Sequence, residues 1–438
     1  MNATVITTLA ALFVLFALSS HVAVALGLSA LVIGLMHIGE VWEFFGHIPW
    51  NVTSGSTLIV VPLFVLMGEL LLRSGVTDEL YAVLARLMAR VPGGLLHTNI
   101  LASGMFSAIS GSSVATASTI GGAAMPSMRK YGYDERLAVG SLAAGGTLGI
   151  LIPPSVIMIV YGLLAEVSIG ELYIAGVVPG LVMMAAFMAV VLTAALIAPH
   201  KAPRINAAAL GAVSAMRGLF AILPILVLLG LVMGTIYAGV ATATEASAFG
   251  TLGAFVVALL KGRVNRKMLR EAFTNTAATT GMIMLILIGA FLLQFVLSMS
   301  GVPTALSKWT LGLGLSQIEL ILALCLIYLV LGMFMESLAM VVMTVPIVVP
   351  ILKAMGVDLV WFGIIVTIMV EVSLITPPVG MNLFVIQGMR NRIDASNARR
   401  PMMDLYVGTL PFTIMMLVVL GAIIVWPEIA TALVHAMK

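Results

Sequence analysis

Charge is what this chain has least of. Lys, Arg, Asp and Glu together make up 9% of its 438 residues, against a hydrophobic share of 61% and a mean hydropathy of +1.19. Soluble domains carry roughly 25% charged residues, so a solvated globular fold is excluded and a polytopic membrane protein is left. Cysteine is nearly absent: the single Cys325 lies in an apolar run, which rules out an internal disulfide and leaves the redox compartment unread. The six histidines, His21, His37, His47, His97, His200 and His435, are scattered without metal-ligand spacing. None falls in the polar motifs described below, so a membrane-embedded enzyme lacks both a metal set and a histidine base. The excess charge of +3, with a pI near 9.0, does not imply a nucleic-acid partner, because the basic residues sit in short clusters between apolar segments.

What the chain does have is long apolar segments, two of them interrupted by proline pairs, Pro153-Pro154 and Pro377-Pro378. The pairs stand 224 residues apart (377 − 153), and the same interval links Ser113 with Ser337, Ala115 with Ala339, Pro126 with Pro350, Gly132 with Gly356 and Asp134 with Asp358. No gap is needed, so the stretch is an internal duplication. A Pro-Pro step removes two backbone donors and frees carbonyls of the preceding turn, which a bilayer tolerates only where that backbone lines a cavity or binds something. Matched breaks in two halves of a membrane protein point to a transporter's binding site.

Basic clusters mark the cytoplasmic side: Arg86 and Arg90; Arg129, Lys130 and Arg136; Lys201, Arg204 and Arg217; Lys261 to Arg270; and Arg390 to Arg400. Apolar spans of about 20 residues then fall near 3–20, 22–37, 57–73, 136–167, 171–198, 218–236, 244–260, 274–298, 358–390 and 404–426. Residues 95–128 leave one cytoplasmic cluster and return to another, which makes them a re-entrant hairpin turning at Ser110-Gly111-Ser112-Ser113. Residues 317–353 begin and end where basic residues are few, and form a second hairpin, turning around Met335-Glu336-Ser337, that enters from the opposite face. The predicted fold is an all-α polytopic membrane protein built as an inverted repeat with two re-entrant hairpins and two broken helices. Residues 1–198 form the first repeat (scaffold helices 1–92, hairpin 95–128, broken helix 136–167, helix 171–198) and 199–217 a cytoplasmic connector, read as a surface helix. Residues 218–438 form the second (scaffold helices 218–298, hairpin 317–353, broken helix 358–390, helix 404–426).

Five spans in each half, an odd number, invert the second half and put both termini in the periplasm. No Lys or Arg precedes the apolar start at Met1–Leu18, which continues into a second apolar run, so it reads as a retained helix and not a cleaved signal. Residues 77–92 read as an amphipathic surface helix with Leu80, Leu84 and Leu87 on one face.

Two constellations carry chemistry. The first joins Ser110-Gly111-Ser112-Ser113 to the break around Gly149, Pro153, Pro154 and Ser155. Hydroxyls and freed carbonyls there are hard oxygen ligands for a small cation such as Na⁺, while half-helix amino ends suit a carboxylate. Close helix packing is the plainer use of any one of these small residues. The second joins Gly332 to Ser337 with Glu371 to Asn382, and adds two acids at apolar depth. Glu336 is read as either a substrate-facing acid or a helix cap, and Glu371 as a structural acid capping a half-helix or bonding a hairpin. Glu69 and Arg73 form a helix-surface pair, Glu245 caps the helix it starts, and the thirty methionines serve as adaptable packing.

Four stretches in order, SGSSVATAS (110–118), GTLGILIPPS (146–155), GMFMES (332–337) and EVSLITPPVGMNLF (371–384), carry a further likeness. With them, the chain resembles, essentially end to end, the large membrane subunit of tripartite ATP-independent periplasmic (TRAP) transporters, the DctM type. The resemblance implies a Na⁺-driven elevator-type importer of organic acids in the bacterial cytoplasmic (inner) membrane. It also implies a small four-helix membrane subunit of the DctQ type and a periplasmic solute-binding protein as partners. Carried over by motif, one Na⁺ is held by Ser110, Ser112, Gly149, Leu151 and Pro154, and a second by Gly332, Ser373, Thr376 and Val379. The family commonly has glycine at the place of Ser373. No organic cofactor is implied. No basic residue stands within either motif, so the substrate is expected between the hairpin tips, near Ser112, Ser113, Ser155, Glu336, Ser337 and Asn382. The rival within the same class is a proton-coupled or exchanging organic-anion carrier that works without a binding protein, with Glu336 and Glu371 as proton carriers.

Overall fold

The computed structural model describes residues 21–39, 41–205, 215–393 and 401–437, with Thr7, Ala10, Val14 and Leu15. Most of the span predicted over 3–20, and 206–214 of the connector, lie outside the described residues. The chain opens with α1 (Val22–His37) and α2 (Trp42–Ser54), then a 3-10 turn (Ser56–Ile59) that runs into α3 (Val60–Ser74). Gly75, left-handed at φ 77°, ends α3 and admits the amphipathic α4 (Val76–Met88). The first hairpin is α5 (Gly94–Ser110) and α6 (Ser113–Lys130). The first broken helix is α7 (Glu135–Leu151) and α8 (Val156–Ala165), and α9 (Ile169–Ile197) follows. After the connector come α10 (Ala215–Tyr237), α11 (Ala243–Leu260), α12 (Arg266–Met299) and α13 (Val302–Gly312). The second hairpin is α14 (Gln317–Gly332) and α15 (Ser337–Ala354), the second broken helix α16 (Leu359–Ile375) and α17 (Met381–Ile393), and α18 (Met403–Val425) and α19 (Glu428–Ala436) close the chain. Seven helices among the described residues are long and apolar enough to cross a membrane.

Residues paired across the 224-residue interval perform the same local task. Gly132 and Gly356 are both left-handed, at φ 72° and 70°. Asp134 and Asp358 both cap the helix that follows, accepting from Leu137 N at 3.1 Å and from Val360 N at 2.7 Å. Each cap contributes about 1 kcal/mol. Packing repeats the exchange: α6 lies against α17 as α15 lies against α8, and α7 lies against α18 as α16 lies against α9. Gly140 and Gly408 let α7 and α18 cross so closely that a methyl on Gly140 would overlap the Gly408 carbonyl.

The broken helices form the interior. The apolar window across Glu135–Ala165 is 83% buried, whereas that of α9 is 28% buried, so the broken helix is enclosed by protein and α9 faces outward. Every residue from Val360 to Ile375 is buried. At its polar end α17 is tied down by the buried Arg390, which donates to Glu135 at 2.6 Å and Asp404 at 3.0 Å. Arg73 of α3 bridges Glu69 at 3.2 Å and Glu271 of α12, and Lys261 pairs with Glu79 of α4.

Four features depart from the sequence reading. The short α2, α13 and α19 are absent from it, because each is too brief to register as a span. The α12 helix starts eight residues before the predicted 274; Asn265 caps its polar first turns by accepting from Met268 N at 2.9 Å. The α2–α3 segment, Trp42 to Ser74, occupies the place in the first half that continuous α12 occupies in the second. On α4 the buried stripe runs through Val76, Leu80, Tyr81 and Leu84, while Leu87 is 56% exposed at its far edge.

Candidate functional site

The first hairpin turns in two residues. Gly111 closes α5 in the left-handed region at φ 58°, donating to Ser107 O, and Ser112 opens α6 as an extended N-cap whose hydroxyl accepts from Ala115 N at 3.4 Å. Only glycine takes the first position without strain. Thr116 ties the tip together, donating to Ser112 O at 2.8 Å and sharing a 2.8 Å hydrogen bond with Ser110 Oγ. The proline pair at 153–154, joined by a cis peptide as is 377–378, separates the two half-helices. Leu151 ends α7, and Ser155 caps α8 by accepting from Met158 N.

Tip and break are in backbone contact. A Cβ placed on Gly111 would lie 2.9 Å from Pro154 O, and one on Gly149 would lie 2.9 Å from Ser112 C and O and 3.0 Å from Ser113 N. Ser110, Ser112, Gly149 and Pro154 therefore stand together, with the Ser110 hydroxyl and the Ser112 and Pro154 carbonyls at one place. Leu151 differs: its carbonyl lies against Gly176 of α9, 2.9 Å from where a Cβ on that glycine would sit.

In the second half, Gly332 at the end of α14 lies directly on Ser373 of α16; a Cβ there would sit 3.2 Å from Ser373 Oγ and 3.4 Å from its Cα, and would overlap its Cβ. The glycine that brings the two elements together is on the hairpin, which is how serine is accommodated at 373. Ser373 and Thr376 return their hydroxyls to their own helix, to Val370 O and Val372 O, each at 2.6 Å. The Thr376 carbonyl lies against Gly380, and Val379 is 37% exposed within the break. Thr376 and Val379 thus line the opened segment, while Gly332 and Ser373 form its contact with the hairpin.

Both tips face one cavity of about 350 Å³. Ser110, Gly111, Ser112 and Ser113 line it from the first hairpin, and Glu336, Ser337 and Leu338 from the second. Val65, Gly68 and Glu69 of α3 and Thr279, Met282 and Ile283 of α12 line it as well, with Ile150, Val156, Ile157, Leu374 and Met381 of the two broken helices. Gly68 lets the first tip rest on α3, since a Cβ there would be 3.3 Å from Ser110 Cα. Two of the six residues expected at the substrate do not line this cavity. Ser155 is buried at the α8 cap, and Asn382 is buried behind the tip, donating to Ser113 Oγ at 2.7 Å. Asn382 carries the second half's broken helix onto the first half's hairpin, and its Oδ1 is buried without a protein partner among the described residues.

The acids separate into roles. The Glu336 carboxylate caps α15, accepting from Leu338 N at 3.0 Å and Ala339 N at 3.1 Å, and also lines the cavity. Glu245 forms a capping box with Thr242. Glu69 pairs with Arg73, but it also accepts from Asn275 and reaches the cavity wall, which a surface pair does not. Glu371 corrects the sequence reading. It caps nothing: it is wholly buried on α16 beside the Leu151 backbone, and both carboxyl oxygens lack a well-formed hydrogen bond. The sequence offered no signal for Thr279 and Met282, which sit in an ordinary apolar span, whereas the Gly68-Glu69 step inside α3 was a visible one.

Residues 9–429 match the family model of the tripartite ATP-independent periplasmic transporter, DctM component. This chain belongs to the DctM family. It is 34% identical over 379 residues to the C4-dicarboxylate TRAP transporter large permease protein DctM of Pseudomonas aeruginosa, covering 86% of each chain. It is 31% identical to the sialic acid TRAP transporter large permease protein SiaM of Vibrio cholerae, covering 85% of this chain and 84% of that one. The crystal structure of the Alcanivorax borkumensis YdaH transporter matches at a TM-score of 0.69 and 16% identity, over 94% of this chain and 98% of that one, which is a likeness of fold. The protein is a multi-pass membrane protein of the TRAP transporter large-permease type.

Proposed function

We propose that this DctM-family permease imports an organic anion, a carboxylate or sulfonate, by Na⁺-coupled secondary transport through an elevator movement of its hairpins and broken helices. The observation that carries the reading is the single cavity shared by both hairpin tips and walled on its other side by α3 and α12. A site divided between two packed bodies is one that their relative movement opens and closes. Oxygen atoms of Ser110, Ser112, Pro154 and Gly149 fit one Na⁺ beside the first tip, and the Gly332–Ser373 contact with Thr376 and Val379 fits a second. Na⁺ there offsets the partial negative charge of half-helix carboxyl ends and favours the arrival of an anion. A solute-binding protein would deliver the substrate from the periplasm, and a small four-helix subunit would brace the permease in the inner membrane, with both termini periplasmic. Uptake of labelled organic acids into proteoliposomes holding the whole complex tests this. Transport should require a Na⁺ gradient with steep concentration dependence, and full transport on a proton gradient alone would refute it.

The buried, unpartnered Glu371 favours one second reading, proton coupling without a binding protein. The Glu371→Gln substitution separates the two. Na⁺-driven uptake survives it within about twofold, as for a neutral isostere at an uncharged packing position, whereas a proton-coupled carrier loses transport altogether.

A further inference from the structure

The two tips that face the cavity have the same backbone ending and opposite electrostatics. At the start of α6 the cap is the neutral Ser112. Its hydroxyl takes Ala115 N at 3.4 Å and its carbonyl takes Thr116 N at 3.0 Å, while the N–H groups of Ser113 and Val114 have no protein acceptor among the described residues. At the start of α15 the corresponding residue, 224 positions on, is Glu336, and its Oε2 already occupies the N–H groups of Leu338 and Ala339. One helix amino end is thus open to an anion, and the other is filled by the chain's own carboxylate. The Glu336 Oε1 atom has no protein partner among the described residues. No Lys, Arg or His among the described residues lines the cavity, so no basic side chain offsets a second substrate charge at the Glu336 side.

We propose that Glu336 makes this cavity selective for a monoanion that carries a hydroxyl or ammonium donor, and against dicarboxylates. The single carboxylate or sulfonate sits at the first turn of α6, against the Ser113 hydroxyl that Asn382 holds in place. The far end of the substrate donates to Glu336 Oε1. A second carboxylate there meets a like charge on Glu336, which is exposed to the cavity, and a plain alkyl end displaces water from the Glu336 oxygen without replacing its hydrogen bond. The inference rests on the organic-anion transport reading and narrows its substrate class.

The test uses the full-length chain, purified and scanned calorimetrically for ligand binding in Na⁺ and in choline buffer. The probes are isethionate and glycerate, which are hydroxylated monoanions, butyrate, which lacks a donor, and succinate, which has two carboxylates. Isethionate or glycerate should bind at least about tenfold more tightly than succinate or butyrate. Glu336→Ser restores the kind of cap the first tip has while removing the charge, and should tighten succinate about tenfold and weaken the hydroxylated probes. Glu336→Gln, closest in size, should shift the ratio the same way, and an unchanged unliganded Tm shows that either variant is folded. Succinate binding as tightly as the hydroxylated monoanions in Na⁺ overturns the selectivity proposal and leaves the transport reading standing, as does a Glu336→Ser ratio equal to that of the unsubstituted chain. Absence of Na⁺-dependent binding by every probe overturns the transport reading and this proposal together.

Discussion

A methyl group at Gly149 tests the link between hairpin tip and broken helix. The Cβ of Gly149→Ala would lie 2.9 Å from the Ser112 carbonyl and 3.0 Å from Ser113 N, all backbone atoms that cannot rotate away. Ordinary contact begins at 3.4 Å, so the tip must retreat by about 0.5 Å (3.4 − 2.9), which is the tolerance within which a binding constellation has to be held. Overpacking of this kind costs about 1–3 kcal/mol. Alanine recovers about 0.5–1 kcal/mol through its better helix propensity, which leaves a net loss of up to about 2.5 kcal/mol. Moving the Ser112 carbonyl away from Ser110 and Pro154 also dismantles the proposed cation cage, and the loss of one oxygen contact worth about 1.4 kcal/mol weakens Na⁺ binding about tenfold. The measurement is the Na⁺ midpoint for thermal stabilisation of the purified chain. Gly122→Ala is the control: it lies on the same hairpin, exposed, with nothing within 4 Å of its Cβ position, and should keep the Na⁺ midpoint and gain slightly in stability. A Gly149→Ala chain with the unsubstituted Na⁺ midpoint and Tm would show that tip and break do not touch as described.

Thr116→Val keeps the shape of the side chain but removes the hydroxyl that joins Ser110 Oγ to Ser112 O; it should cost about 1 kcal/mol and raise the Na⁺ midpoint, read in the same thermal assay, and an unchanged midpoint would separate Thr116 from the cage. Gly332→Ala drives a methyl into Ser373 and should destabilise by about 1–3 kcal/mol. Adding Ser373→Gly removes the obstacle and should restore most of that loss, so the double-mutant cycle gives a coupling of at least about 1 kcal/mol. Additive losses would mean that the two residues are not in contact.

The interval of 224 residues carried most of the fold, because residues under the same backbone demand recur at it: left-handed turns need Gly132 and Gly356, caps need Asp134 and Asp358, and breaks need the proline pairs. The hairpin tips were legible for the same reason, and for the added one that Gly111 and the serines around it are poor choices for an uninterrupted membrane helix. Short surface helices escaped notice because α2, α13 and α19 bury little and show neither the length nor the uniform apolarity of a span. The site was read only in part. Residues supplied by the hairpins announce themselves as polar groups in apolar sequence, whereas the wall contributed by α12 is apolar and looks like any other packing face. Asn382 was placed at the substrate on its polarity, but its partner turns out to be Ser113, 269 residues away, and one sequence cannot show a contact at that range. Glu371 was read as a half-helix cap or a hairpin bond because charge at depth needs a partner, and the structure buries both its oxygens beside the Leu151 backbone without a well-formed hydrogen bond among the described residues.

The duplication explains why one chain holds two unlike half-sites. Equal backbones place hairpin against break in each half, so each contact needs one residue small enough to let the elements meet. In the first half that residue is Gly149 of the broken helix, whose counterpart across the interval is Ser373; in the second it is Gly332 of the hairpin, whose counterpart is Ala108. Exchanging the small residue between the partners preserves the approach and changes which oxygens stand at it. The caps diverge in the same manner, Ser112 leaving its helix end open and Glu336 filling its own. In the proposed reading, a single duplicated geometry thus supplies two oxygen sets suited to a cation and, at the two hairpin tips, one helix end left open to an anion. On the proposed elevator movement, the symmetry of the fold would expose the cavity to the two sides of the membrane in turn, and the departures from it, at residues 112 and 336 above all, would set what is carried.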